Sequence, residues 1–98
     1  MTDIKLELNE KGQGSFNLYE EGKKTGEMVI SVSGNELTVY HTQVVPEAEG
    51  KGYAKQLLDT MVNYVRVHKL TVIPFCPYVL AQFNRHPDAY ADIWNKQA

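Results

Sequence analysis

The spacing of apolar residues changes once along this chain, and the change dictates the architecture. Through the first 45 residues apolar and polar side chains alternate over residues 4–8, 15–19, 26–32 and 36–45, with turn-forming stretches at 9–14, 20–25 and 33–35 between them. A period of two marks strands with one buried face, so four strands in an antiparallel meander are expected. Ile4, Leu6 and Leu8 share one parity, as do Phe16 with Leu18, Met28 with Ile30 and Val32, and Leu37 with Val39. One face of that sheet therefore needs a cover. From Ala54 the spacing becomes helical, because Ala54, Leu57, Leu58, Met61, Val62 and Val65 fall at i, i+3, i+4, i+7, i+8 and i+11. Lys55, Gln56, Asp59, Asn63 and Arg66 occupy the other side of this helix, which leaves the apolar stripe to lie on the meander.

Residues 70–75 form a short apolar run with little alternation, ending among Pro74 and Pro77, as in a strand covered on both faces. A strand, a helix and a second strand imply a right-handed crossover, so 70–75 should lie parallel to 36–45 in the same sheet. Two short helices are expected at 78–84 and 87–94, the second with Pro87 in its first turn and Tyr90, Ile93 and Trp94 for packing. The expected class is α+β: a mixed sheet of four antiparallel strands and one parallel strand, a covering helix and short C-terminal helices. With 98 residues, one domain over 1–98 must carry the whole function.

Between strand and helix lies Pro46-Glu47-Ala48-Glu49-Gly50-Lys51-Gly52-Tyr53-Ala54. Gly50 and Gly52 remove side chains that would keep a ligand from the backbone, and the turn delivers free N–H groups at a helix N-terminus, the geometry that suits phosphate. Lys51 can add a positive charge. Neither the G-x-G-x-x-G fingerprint nor the G-x-x-x-x-G-K-[ST] loop is present, so a different phosphate-binding fold is required.

The succession of strand, glycine turn, amphipathic helix and buried strand resembles the GCN5-related N-acetyltransferase fold. The segments His41-Thr42-Gln43-Val44, Gly50-Lys51-Gly52-Tyr53-Ala54 and Pro74-Phe75-Cys76-Pro77-Tyr78 are similar to those of its short, single-domain members. The resemblance covers nearly the whole chain and implies acetyl-CoA as cosubstrate. Gly50, Lys51, Gly52, Tyr53 and Ala54 would hold the pyrophosphate, and Val44 and Val45 the pantetheine. Glu49 stands where the superfamily usually has Gln or Arg; a carboxylate facing pyrophosphate is repulsive, so its side chain is expected to turn away.

Three further residues carry candidate chemistry. Cys76 follows the buried strand at its carboxyl end, where ligands of parallel sheets bind; it is either a thiolate that accepts the acetyl group or a small residue lining the site. His41 is the candidate base, because an imidazole is the side chain whose ordinary range suits a general base at neutral pH, yet its parity continues Leu37 and Val39, so a core-facing histidine is equally open. Tyr78 is the candidate acid for the departing thiolate, as the resemblance implies, or a packing residue. His68 and His86 suit surface or capping positions, and no spacing matches a metal-ligand pattern, so no metal is expected.

Two classes of function follow: acetyl-CoA-dependent N-acetylation of an amine, small or on a protein, or a non-catalytic module that binds coenzyme A or acetyl-CoA. A formal charge of −2 gives no pull on nucleic acid or anionic lipid, and neither partner is expected. Apolar content of 43% and charged content of 22% are those of an ordinary soluble domain. A cytoplasmic location is expected, since one cysteine cannot form an internal disulfide and no apolar stretch has the length of a leader or a membrane span. A monomer or weak homodimer is expected.

Overall fold

The computed structural model describes residues 2–96. One five-stranded sheet runs in the order β1 (Thr2–Leu8), β2 (Gln13–Glu20), β3 (Lys23–Ser33), β4 (Glu36–Val44) and β5 (Thr71–Pro74). The first three pairings are antiparallel and β4 with β5 is parallel, as the crossover requires. Between β4 and β5 the chain makes a short 3-10 turn at Pro46–Ala48 and then α1 (Tyr53–Val67). Helices α2 (Pro77–Arg85) and α3 (Pro87–Tyr90) follow.

Helix α1 covers one face of the sheet. Leu57, Leu58, Met61, Val62 and Val65 are buried against Phe16, Leu18, Met28, Ile30, Leu37 and Val39. The register brings these sheet residues into rows, with Phe16 opposite Met28, Ile30 opposite Val39 and Leu37 opposite Val72, so a continuous apolar surface meets the helix stripe. Burying each such side chain contributes roughly 1.5–3 kcal/mol. Gly26 lets α1 approach closely, since a Cβ there would stand 3.4 Å from Leu57 Cδ1.

The C-terminal segment departs from its expected helix over 87–94. Helix α3 stops at Tyr90, and Trp94 instead makes a parallel bridge to Val72. Val72 N–H donates to Ile93 C=O at 2.7 Å, and Asn95 N–H donates to Val72 C=O at 2.9 Å. The reason is the outer edge of β5, whose backbone groups need partners that a continued helix would not supply. Phe83 stacks on Tyr90 at 4.7 Å between centroids and meets Trp94 at 5.5 Å, which fixes this cap over the end of the sheet.

Two β-bulges interrupt the regular pleat. In β3, Leu18 faces Gly26 while Tyr19 faces Lys24, so Thr25 is the extra residue. In β4, Val39 faces Ile30 while His41 faces Val29, so Tyr40 is extra. An added residue reverses the alternation beyond it. Leu37 and Val39 are accordingly buried, whereas His41 and Gln43 are exposed and Thr42 and Val44 take the half-buried positions on the α1 side.

Candidate active site

Pairing of β4 with β5 ends at Val39 and Pro74, after which β4 continues to Val44 while β5 gives way to α2. Cys76 N–H still donates to Val39 C=O at 2.9 Å, and beyond that point the strands part. The edge of β4 from Tyr40 to Val44 thus has no strand beside it on that side. Val45 N–H is already committed, donating to Thr25 C=O at 2.8 Å. Of the two valines expected to hold pantetheine, only Val44 lies on the open stretch.

The glycine turn stands beside this opening. Gly50 and Gly52 have φ of 86° and 80°, the left-handed region that L side chains avoid, and a Cβ on either would meet nothing within 4 Å. The turn therefore needs glycine for its conformation, and the space beside it is open to a ligand. Glu49 N–H donates to Pro46 C=O and Lys51 N–H to Ala48 C=O, while the N–H groups of Gly50, Gly52, Tyr53 and Ala54 have no backbone partner among the described residues. They lie where the dipole of the fifteen-residue α1 favours negative charge. A hollow of about 270 Å³ adjoins them, with Val44, Ala48, Glu49 and Tyr78 in its wall. Unsatisfied donors, positive dipole and open space together fit a pyrophosphate.

The charges nearby are arranged less simply than the sequence suggests. Lys51 Nζ is paired with Glu20 Oε2 at 3.1 Å, and Tyr53 hydroxyl donates to the same oxygen. Those two contacts, the tyrosine first, hold the Glu20 carboxyl below its ordinary pKa, while the bond to Glu20 and burial push the Tyr53 phenol up. The Tyr53 side chain is therefore a strut between α1 and the β2–β3 hairpin, leaving its backbone N–H to face a ligand. Lys55 is paired with Asp59 at 2.7 Å. Glu49 is exposed, on the rim of the hollow, and makes no side-chain bond among the described residues.

Cys76 is 1% exposed at the N-cap of α2, with Sγ 3.3 Å from Thr42 Oγ1 across the opening. Tyr78 shares the hollow with the glycine turn, and burial pushes its phenol up, with Lys55 pulling the other way. His41 lies apart from both, on the uncovered face of the sheet. Its Nε2 is 3.1 Å from Gln43 Oε1, Gln43 Nε2 donates to Glu27 Oε2 at 3.4 Å, and Lys24 Nζ donates to Glu27 Oε1 at 2.6 Å. With the Gln43 amide oriented by Glu27, its carbonyl takes the Nε2 proton and Nδ1 is the basic nitrogen of the neutral ring.

The fold brings Val44, Gly50, Gly52, Tyr53, Ala54 and Tyr78 to one hollow and Cys76 beside the opening, and leaves Val45, Lys51 and His41 outside the wall of that hollow. Glu20 and Thr42 were missed. Glu20 lies far from Tyr53 in the chain and carries no motif, and Thr42 reaches Cys76 only because the bulge at Tyr40 turns it inward.

The model of the GCN5-related N-acetyl-transferase family matches residues 15–93. No curated protein sequence matches the chain. Among solved structures, a ribosomal-protein-alanine N-acetyltransferase from Brucella melitensis biovar Abortus 2308 superposes at a TM-score of 0.70 and 15% identity, covering 97% of this chain and 92% of its own. A GCN5-like protein from Staphylococcus aureus gives 0.68 at 25% identity, covering 100% and 94%. The ribosomal-protein-S18-alanine N-acetyltransferase of Escherichia coli gives 0.63 at 18% identity over 67% of this chain, which spans 43% of that enzyme's length.

Proposed function

The chain belongs to the GCN5-related N-acetyltransferase family, and from that membership we propose that it transfers the acetyl group of acetyl-CoA to an amine. The observation that carries this reading is the hollow at the N-terminus of α1, where unpartnered N–H groups adjoin Val44 and Tyr78 beside the open edge of β4. Acetyl-CoA, when bound, supplies a thioester whose carbonyl carbon is the electrophile and whose sulfur is the leaving group.

The N–H groups of Gly50, Gly52, Tyr53 and Ala54 bind the pyrophosphate, and Lys51 adds charge on leaving Glu20. The edge of β4 down to Val44 pairs with the amides of the pantetheine, satisfying strand groups that β5 does not reach. The acceptor amine approaches the β4 opening from the uncovered face of the sheet, where His41 Nδ1 takes its proton as the new N–C bond forms and the C–S bond breaks. Tyr78 delivers a proton to the departing sulfur; its raised pKa keeps the phenol protonated until then. Cys76 lines the opening, since its burial and its contact with Thr42 hold the thiol away from solvent. Transfer is thus direct from thioester to amine.

Thermal unfolding with CoA, acetyl-CoA and ADP tests the binding step, because a ligand of the folded state alone raises its stability. Both CoA forms should raise Tm, and no shift with either refutes the assignment of the hollow. Thiol release from acetyl-CoA against a pool of amines tests turnover, with mass spectrometry of the intact protein for an acetyl group on Cys76. Release without an adduct is the expected result. A burst of adduct that decays with amine would make Cys76 the nucleophile, and binding without release would make the chain a CoA-binding module.

A further inference from the structure

Among the described residues five large apolar side chains are exposed, and three of them, Tyr40, Phe75 and Leu80, gather where β4 and β5 part. Tyr40 and Phe75 directly follow Val39 and Pro74, the last pair of the parallel ladder. They are 47% and 64% exposed, and their ring centroids stand 6.3 Å apart at 49°. The Tyr40 ring belongs to the uncovered face, because its hydroxyl lies 2.8 Å from Ser31 Oγ and Ser31 alternates with Ile30 and Val32 of the core side. Phe75 and Leu80 continue the patch into a hollow of about 210 Å³ along β5, whose charged wall residue, Lys96, is taken up by the Trp94 ring at 4.5 Å.

The same point of β4 carries the base. The bulge sets Tyr40 and His41 together opposite Val29, so both side chains leave the strand on the uncovered face, from Cα atoms about 3.8 Å apart. The two nitrogens of an imidazole point away from each other. With Nε2 turned along the strand to Gln43, Nδ1 looks back toward Tyr40. The open edge of β4, assigned above to pantetheine, begins at Tyr40 itself. Rings, base and cosubstrate edge thus meet at one place.

We propose that the Tyr40 and Phe75 rings form the acceptor subsite and hold a primary alkylamine in its ammonium form, the charge against the ring faces and the saturated stem along Phe75. An alkylamine is protonated at neutral pH, and the face of an aromatic ring attracts a cation within about 6 Å of its centroid. A carboxylate in the same place would favour the charged form and hold its proton, whereas the rings attract the cation more weakly. Glu27, the carboxylate that reaches His41 through Gln43, is already paired with Lys24. The bound ammonium gives one proton to His41 Nδ1, and this exposed ring passes it to water. The neutral amine then attacks and loses its second proton by the same route, which balances the proton that Tyr78 gives to the sulfur. The inference rests on the acetyl transfer proposed above for its chemistry, but not for its binding.

Two measurements separate the claims. In the first, backbone amide NMR shifts of the full chain are followed at constant neutral pH, without acetyl-CoA, during titration with butylamine, 1-butanol and butyrate. Butylamine should shift the Tyr40, His41 and Phe75 amides, with 1-butanol about fivefold to thirtyfold weaker, the contribution of two rings to one cation, and butyrate weaker still. Absence of any shift at these residues, or 1-butanol equal to butylamine, overturns the subsite. In the second, acetyl-CoA-dependent acetylation of butylamine and of a capped lysine peptide is compared for wild type, Phe75→Leu and Phe75→Tyr. Phe75 is mostly exposed, so both variants should keep Tm and their affinity for acetyl-CoA. Leucine keeps an apolar surface without a ring face, so KM for the amine should rise about twofold to fivefold in Phe75→Leu and stay near wild type in Phe75→Tyr, with kcat unchanged in both. An unchanged KM in Phe75→Leu overturns the role of the ring. The lower KM of the two acceptors tells whether the ammonium belongs to a small amine or to a protein. Localised shifts without acetyl transfer to either would leave the subsite standing and refute the enzymatic reading alone.

Discussion

Gly52→Ala separates the shape of the turn from its use. Gly52 sits at the N-cap of α1 with φ of 80°, and an L residue held there costs roughly 1–2 kcal/mol. The added methyl meets no atom within 4 Å, so no clash adds to this. Against a total stability of about 5–15 kcal/mol the variant stays folded, with Tm lowered by about 4–16 °C at 4–8 °C per kcal/mol. The same methyl, however, occupies space through which a phosphate must reach the N–H groups of Gly52 and Tyr53. Losing one hydrogen bond to a charged group, about 1.5–3 kcal/mol, weakens binding by about tenfold to a hundredfold. Gly34→Ala is the matched control: Gly34 has φ of 59°, its Cβ would also meet nothing within 4 Å, and it lies in the β3–β4 turn away from the hollow. Calorimetric titration with acetyl-CoA and thermal unfolding of both variants give the answer. Comparable losses of Tm with a loss of affinity only for Gly52→Ala are expected. Equal affinity in the two variants would mean that the turn does not hold the cosubstrate, whatever its geometry.

Three further perturbations test the frame around the site. The Glu20 carboxyl is held below its ordinary pKa by Tyr53 and Lys51, so its stabilisation is complete above about pH 4.3 and is lost as pH falls through the lower folded value. Glu20→Gln should flatten this acid limb in urea unfolding across pH 5 to 2, and tighten acetyl-CoA binding at low salt by releasing Lys51; an unchanged limb would deny the coupling. Leu57→Ala removes a side chain with no exposure from the α1–sheet contact and should cost about 2–5 kcal/mol in chemical denaturation; a loss below 1 kcal/mol would show that α1 does not cover the sheet as described. Arg66→Ala breaks two bonds to Asp92, at 3.0 and 3.1 Å, and one to Ala89 C=O at 2.8 Å. Because the pair is exposed, the loss should stay under about 1 kcal/mol, and a larger one would assign Arg66 a part in holding the C-terminal cap.

The elements as far as α2, and their order, are legible in the residues alone. Alternation in the first half, the 3.6-residue stripe from Ala54 to Val65 and the short run after it require a covered meander and a parallel fifth strand, because each pattern can bury its apolar side in only one way. The glycine turn was legible for the same reason: Gly50 and Gly52 are needed where φ is positive and a helix begins. Tertiary structure alone decided what faces what. Nothing in the residues around Tyr40 announces the bulge that turns His41 out and Thr42 in, since a bulge answers to the register of both strands at once. Nor could the chain announce that Lys51 is held by Glu20, that Val45 is spent on Thr25, or that Trp94 leaves its helix to pair with β5. Each of these joins residues distant in sequence, and which backbone or charged group finds a partner is settled only when the strands and helices meet.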